Sequence, residues 1–211
     1  TRVSLNRFAQ VFSPLDSSFD PASIGLVTGA KGGLPTIVVG GFESLGAPTN
    51  EPRGRVSQAY QIVDTLVWTR GRHTLKGGMD YRRPLVRSYN DQFARGRLSF
   101  NTLADLLAGV AAPSGTSIAR GATRRDTYTN NVGLFVQDDW RITSRLTVNL
   151  GLRHEYSGPL SEKQQRISTF LPDAGLVQVG HGLDTLYARD WNNFAPRAGF
   201  AYDPRGNGRT V

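Results

Sequence analysis

Connections between the strand-like segments of this chain alternate strictly between short and long, and few folds tolerate that. Segments of period-two hydrophobicity fall at residues 1–12, 55–69, 73–89, 127–140, 145–156 and 192–202. The turns at 70–72, 141–144 and 203–208 are short, whereas the connections at 13–54, 91–123 and 158–191 each exceed thirty residues. Structureless connections longer than about 12–15 residues are uncommon in compact domains. Three of them, all at the same end of the hairpins, argue against a small sandwich. A transmembrane β-barrel has this asymmetry by construction, with short periplasmic turns and long extracellular loops. The expectation is an all-β, antiparallel up-and-down barrel segment of about six strands, with 13–54, 91–123 and 158–191 outside the cell.

The clearest strand, 145–156, places Leu146, Val148, Leu150, Leu152 and Tyr156 on one face and Thr147, Asn149, Gly151, Arg153 and Glu155 on the other. Only His154 interrupts the apolar face. Upstream, 127–140 puts Tyr128, Val132, Leu134, Val136 and Trp140 opposite Thr129, Asn131, Gln137 and Asp139. Four residues join the two segments, so they form a hairpin. In 73–89, Leu75, Met79 and Tyr81 oppose Lys76, Asp80 and Arg82. Segment 55–69 is less regular, since Asp64 shares a face with Tyr60, Ile62, Leu66 and Trp68, and it predicts a bulge or burial on both sides. In 192–202, Phe194, Ala198, Phe200 and Tyr202 face away from Arg197 and Gly199.

Aromatic residues give an independent measure of span. Tyr128 and Trp140 are twelve residues apart on one face, about 40 Å along a strand and roughly 28 Å in height at a 45° tilt. That is close to the apolar band of about 25 Å between the two aromatic girdles of an outer-membrane barrel. Trp68 and Tyr202 stand beside short turns, and Tyr156 marks a long-loop end, so Trp68, Tyr128, Trp140, Tyr156 and Tyr202 are the expected girdle. A soluble antiparallel sheet alternates in the same way with its apolar face turned inward. Loop asymmetry and girdle spacing favour the barrel.

Composition removes several rivals. No stretch approaches the roughly 18 apolar residues of a transmembrane helix, the longest apolar-rich run being 103–112. Cysteine is absent, which excludes disulfides, thiolate metal sites and a cysteine nucleophile. The net charge is +8, with only three lysines (Lys31, Lys76, Lys163) among the 25 basic residues. The arginines are spread along the chain instead of forming the single basic surface that nucleic acid requires, so no nucleic-acid partner is expected. Thr1 opens on a polar run, and the chain stops where a strand would start, so the sequence reads as a segment of a longer protein.

No residue group has the spacing of a catalytic or metal centre. His73, His154 and His181 form no close metal pattern, and His154 and Glu155, being neighbours on a strand, point to opposite faces. Thr28-Gly-Ala-Lys-Gly-Gly33 echoes a phosphate loop without the Lys-Ser/Thr ending or the strand-loop-helix setting, and reads as a surface loop. Asp138 and Asp139 also diverge, which leaves one of them for a charge ladder with Arg153. The candidates for the lumen face are Arg82, Asn149, Arg153 and Arg197. Those for a ligand or anionic lipopolysaccharide at the outer loops are Arg95, Arg97, Arg124 and Arg125, with Arg120 beside them. Residues 103–108 predict a two-turn helix within a loop. No cofactor and no enzymatic activity are expected.

Gly133-Leu-Phe-Val-Gln-Asp-Asp-Trp-Arg141, followed by Leu146-Thr-Val-Asn-Leu-Gly-Leu-Arg-His-Glu-Tyr156, resembles the barrel of TonB-dependent outer-membrane receptors, in which a strand ending in QDDW turns into LTLNLGLRYE. Asp64-Thr-Leu-Val-Trp68, Gly71-Arg-His-Thr-Leu-Lys-Gly-Gly78 and Asn193-Phe-Ala-Pro-Arg-Ala-Gly-Phe-Ala-Tyr202 are similar to strands of the Oar-like branch common in acidobacteria. His154 replaces the more usual Tyr. The resemblance covers residues 55–211 and is looser over 1–54. It implies about 22 strands around a plugged lumen, with plug domain, TonB box and N-terminal regulatory-like domain lying outside this chain. It also implies uptake of a scarce small ligand across the bacterial outer membrane, energised by the TonB complex through the plug, with lipid and lipopolysaccharide around the wall. The rival readings are a plain porin and a secreted β-sandwich that binds carbohydrate through Trp68, Trp140 and Trp191.

Overall fold

The structure, a computed structural model, describes residues 1–27 and 32–206. Its strands are β1 (Arg2–Phe12), β2 (Thr36–Val39), β3 (Arg53–Arg70), β4 (His73–Asn90), β5 (Arg97–Phe100), β6 (Arg125–Tyr128), β7 (Asn131–Arg141), β8 (Leu146–Ser157), β9 (Ser161–Glu162), β10 (Ser168–Leu171), β11 (Gly175–Gln178) and β12 (Phe194–Tyr202). A 3-10 turn, Pro21–Ile24, and one short helix, α1 (Leu103–Leu107), complete the described elements. The main sheet runs in the order β1-β3-β4-β7-β8-β12, with β6 beside β4 and β9. Each long strand therefore lies next to the long strand that precedes it in the chain, as an up-and-down meander requires.

Local chemistry sets the turns. Gly71 at φ +60° occupies the first central position of the two-residue link between β3 and β4, the glycine position of a type II′ hairpin turn. Between β7 and β8 the Thr143 hydroxyl accepts from the N–H groups of Arg145 (3.1 Å) and Leu146 (3.0 Å). After β12, the Asp203 carboxylate accepts from the N–H groups of Arg205 and Gly206. The remainder of the 203–208 turn lies outside the described residues, as do positions 28–31 of the phosphate-loop echo.

Two expectations need correction. Segment 127–140 is not one strand, because β6 and β7 are separated at Thr129 and Asn130. Pro84 of β4 has no N–H to offer the ladder. Instead, its carbonyl accepts from the N–H of Thr129, the Tyr81 hydroxyl donates to the Asn130 side chain, and Gly158 N–H donates to the Asn130 carbonyl. Nor is β3 buried on both faces: it runs unbroken over 18 residues, and Gly54 is its one buried residue.

Two compact units divide the chain. One comprises Thr1–Arg7, Ser57–Val86 and the described part of Asp126–Val211, and the other comprises Phe8–Val56 and Arg87–Arg125. The second unit contains a parallel β2–β5 pair and α1, which is capped at Thr102 by a reciprocal box with Asp105. Pro35, Val39, Ala47, Phe100 and Ala112 are buried there. In the first unit, by contrast, the apolar face of the sheet is open. Register aligns Met79, Leu134 and His154, then Gly77, Val136, Leu152 and Pro196, then Leu75, Asp138, Leu150 and Ala198 on that face. Val136 is 53% exposed, Leu150 49% and Phe200 76%. A contiguous apolar surface of this extent has to be covered by something as apolar as itself. No helix among the described residues is long and apolar enough to cross a membrane.

Candidate functional site: the polar face of the sheet

Residues paired across an antiparallel ladder share a face, so register alone assembles the polar surface. From the short-turn end its rows are Thr74, Asp139, Asn149 and Gly199; Lys76, Gln137, Gly151 and Arg197; Gly78, Phe135, Arg153 and Ala195; Asp80, Gly133 and Glu155; and Arg82, Asn131 and Ser157. All four lumen candidates, Arg82, Asn149, Arg153 and Arg197, fall on it.

The charges on this face are mostly paired. Lys76 Nζ lies 2.9 Å from Asp139 Oδ2, and Gln137 donates to Asp139 Oδ1. Gln61 Nε2 donates to both oxygens of Asp80, and Arg82 donates to Gln61 Oε1 at 3.4 Å. Arg153 Nε is 2.5 Å from Glu155 Oε1. The expected ladder between an aspartate and Arg153 is therefore corrected: Arg153 reaches Glu155, two residues along its own strand, and Asp139 takes Lys76. Among the described residues Arg197 has neither an ion pair nor a side-chain hydrogen bond. A recess of about 220 Å³ is lined by Asp80, Arg82, Asn131, Gly133, Arg153 and Glu155. It offers guanidinium donors beside carboxylate acceptors, a set that can bind and orient a polar solute.

Sequence reading missed Gln61, Glu155 and Phe135. The signal for Gln61 was the pairing of β3 with β4, which brings it to Asp80, whereas Glu155 could have been found from parity alone, two residues from Arg153 on the same face of β8. Phe135 escaped because an aromatic on the polar face breaks the pattern. Its ring packs against Gly78, where an added Cβ would stand 2.7 Å from a ring carbon and 2.4 Å from the Asp64 carbonyl oxygen.

The outer-loop arginines do not form one open cluster. Arg95 is 6% exposed, and its guanidinium is 2.8 Å from Asp16, which also accepts from the N–H of Leu34. Burial raises the Asp16 pKa, but those hydrogen bonds and the Arg95 charge outweigh it and hold the carboxyl below its ordinary range. Arg97 lies in β5 with its Nε buried. Arg124 stacks over Tyr89, and Arg125 donates to the carbonyls of Ala122 and Arg124. As a ligand or lipopolysaccharide patch this group is corrected for Arg95, which is consumed by its own fold. Arg120 stays exposed.

Glu162 organises the connection after β8. Its buried carboxylate accepts from the N–H groups of Asp126 (3.1 Å), Gln164 (2.8 Å) and Arg166 (2.8 Å). Burial pushes the carboxyl up, yet the three N–H donors and the Arg166 charge more than offset it and the pKa is lowered. A lowered folded pKa stabilises above the unfolded value, about 4.3, and that stability disappears as pH falls through the folded value. Glu162→Ala should speed amide exchange at Asp126, Gln164 and Arg166 by about 10- to 100-fold at neutral pH, one charged hydrogen bond being worth roughly 1.5–3 kcal/mol. Below about pH 4 the difference should shrink. Unchanged exchange at neutral pH would contradict the anchor.

The residues expected to form the girdle sit at the two ends of the sheet. Trp68, Trp140 and Tyr202 are exposed near short turns, and Trp140 stacks on His73 at 5.2 Å. At the long-loop end Tyr156 stacks on Trp191 at 3.8 Å, and His154 packs on Phe194. Tyr128 lies on β6 beneath Arg83, so the Tyr128–Trp140 span is not one continuous strand. Trp140 pairs with Val148, and Tyr156 lies eight residues further along β8. The corrected span is about 27 Å along the strand, or about 19–22 Å in height at a tilt of 35–45°.

One comparison with known proteins gives a result. The family model described as "Outer membrane beta barrel domain" matches residues 1–211. No curated protein and no solved structure matches the chain.

Proposed function

Because the chain belongs to the outer membrane beta barrel domain family and so is a membrane-embedded barrel of the bacterial outer membrane, we propose that it forms part of the wall of a TonB-dependent transporter. In this reading the open apolar face meets lipid and the paired polar face lines the lumen. The long connections lie outside the cell, where they meet a scarce small ligand. The supporting observation is the Gln137-Asp-Asp-Trp140 hairpin, in which Trp140 and Asp138 share the apolar face while Gln137 and Asp139 tie into Lys76 on the polar one. The chain's own residues supply wall, lumen lining and loop anchors. Energy coupling belongs to the plug.

Topology is tested with single cysteines, since the sequence has none of its own. Ser114 and Ala174 are exposed in long connections, and Ser144 is exposed in the β7–β8 turn. On intact cells a membrane-impermeant maleimide should label the first two within minutes and leave Ser144→Cys unlabelled until the outer membrane is permeabilised. Labelling of Ser144→Cys on intact cells would reverse the topology. Transporter and porin are separated by conductance of the full-length protein in a planar bilayer bathed in potassium chloride. A plugged transporter stays closed, whereas steady open channels would establish the porin.

A further inference from the structure

Where β1 ends at Phe12, β3 begins at Arg53 and β4 ends at Asn90, the second compact unit carries an open recess of about 390 Å³. That volume lies within the range of small-molecule sites. Its lining holds two guanidinium side chains, Arg53 and Arg55, two aromatic rings, Phe12 and Tyr89, and the neutral polar side chains of Gln10, Ser88 and Asn90. No carboxylate lines it. Asp91, next in the chain to Asn90, instead accepts from the Thr123 hydroxyl. Arg53 is held in place without being consumed. Its guanidinium lies over the Phe12 ring, 4.5 Å from the centroid, and the residue is half-buried. Nε is sealed from solvent and cannot serve a ligand. The two terminal nitrogens, by contrast, have no hydrogen-bond or ion-pair partner among the described residues and keep accessible surface. A guanidinium stacked face-on against a ring directs its N–H groups outward in its own plane. Tyr89 forms the other aromatic wall because Gly54 has no side chain: a Cβ there would stand 2.5 Å from a ring carbon.

We propose that this recess binds a small aromatic carboxylate, its carboxylate on the terminal N–H groups of Arg53 and its ring against the Phe12 and Tyr89 wall. The inference deepens the transporter reading above and rests on it for one point, the placement of the recess at the extracellular mouth. Three observations lead to this ligand class. The planar fork of N–H donors on Arg53 matches a carboxylate, and the stacking on Phe12 fixes that fork before the ligand arrives. With Arg53 and Arg55 in the lining and no acidic side chain among them, the recess is positive and repels a cation. The aromatic surfaces offer nothing to a bare inorganic ion, whereas a flat apolar body gains contact with them. Gln10, Ser88 and Asn90 supply neutral donors and acceptors for polar groups on that body. A neutral solute of the same shape leaves the guanidinium charge unanswered.

The experiment measures radiolabelled benzoate bound to the full-length protein in detergent by equilibrium dialysis against a protein-free micelle blank, with benzamide and inorganic phosphate as competitors. Unlabelled benzoate should displace the label at a concentration about tenfold lower than either competitor, the difference one charge-assisted hydrogen bond supports. Arg53→Gln should weaken benzoate about tenfold. Asn90→Asp, which keeps Arg53 and adds a like charge to the lining, should do the same and carries the test alone where Arg53→Gln does not fold. Arg120→Gln, at an exposed arginine outside the recess, should change nothing. Heat-modifiable gel migration reports folding of each protein. Benzamide or phosphate competing as well as benzoate overturns the inference, as does undiminished benzoate binding in a folded Arg53→Gln or Asn90→Asp protein. Placement is read separately from Asn90→Cys on intact cells, which an impermeant maleimide should label and saturating benzoate should slow. Labelling only after permeabilisation, with benzoate still bound in detergent, overturns the extracellular placement and the transporter topology while the ligand class stands.

Discussion

Val136→Arg is expected to cost about 2–4 kcal/mol in a lipid refolding titration of the intact barrel, and Asn149→Arg close to nothing. Val136 lies on the apolar face, four residues from Trp140, with Gly77 and Leu152 as its ladder partners. No carboxylate stands in its row, so an arginine there meets hydrocarbon near the middle of the bilayer, where its charge is most costly. Asn149 pairs with Asp139 and Gly199 on the polar face. An arginine at that position gains an acidic neighbour and space beside a glycine. Leu150 is a poorer probe than its mid-strand place implies, because its ladder partner is Asp138 and the new cation would find a counter-charge. Equal penalties at positions 136 and 149 would mean that the faces have been assigned the wrong way round.

The second large effect concerns the 211-residue chain by itself. In water without detergent it should yield no monodisperse monomer, and sedimentation velocity should show oligomers or aggregate. The sheet path ends at β1 and β12, two strands whose outer edges present unpaired backbone groups, and all 11 residues of β1 are exposed. Edges of that length template further pairing. Meanwhile the first unit, for all its strands, buries few large apolar side chains, Leu85 and Val179 among them. Bilayer alone is no remedy, since an open edge in hydrocarbon leaves N–H and C=O groups unsatisfied. A soluble monomer with one sharp, cooperative unfolding transition would instead point to the secreted sandwich.

Much of this arrangement was legible in the sequence because period-two alternation encodes the face of every residue on a regular strand. Leu146 to Tyr156 could be sorted by parity alone, as could Arg82, Asn149, Arg153 and Arg197. Parity says nothing about partners across the ladder. That Lys76 would meet Asp139 depends on register, which no single strand contains, and that Arg153 would meet Glu155 on its own strand depends on rotamers. The break at Thr129 and Asn130 was hidden for a related reason, as its cause is Pro84, a residue 45 positions upstream on another strand. The loops were hardest. Asp16 and Arg95, or Glu162 and Asp126, become partners only after chain closure over tens of residues, and isolated arginines in a connection give no hint that one will be buried.

Phe135 and Gly78 carry a further consequence, for the shape of the polar face. The Phe135 ring can sit against the wall only because the residue beside it has no side chain. Any substitution at position 78 would have to displace the β3 backbone as well as the ring, since the added Cβ would also stand within 2.4 Å of the Asp64 carbonyl oxygen. The shape of the polar face at that height is therefore set by an absence in β4 as much as by the aromatic in β7. A single methyl group there would therefore be felt in the β3–β4 pairing as well as at the ring.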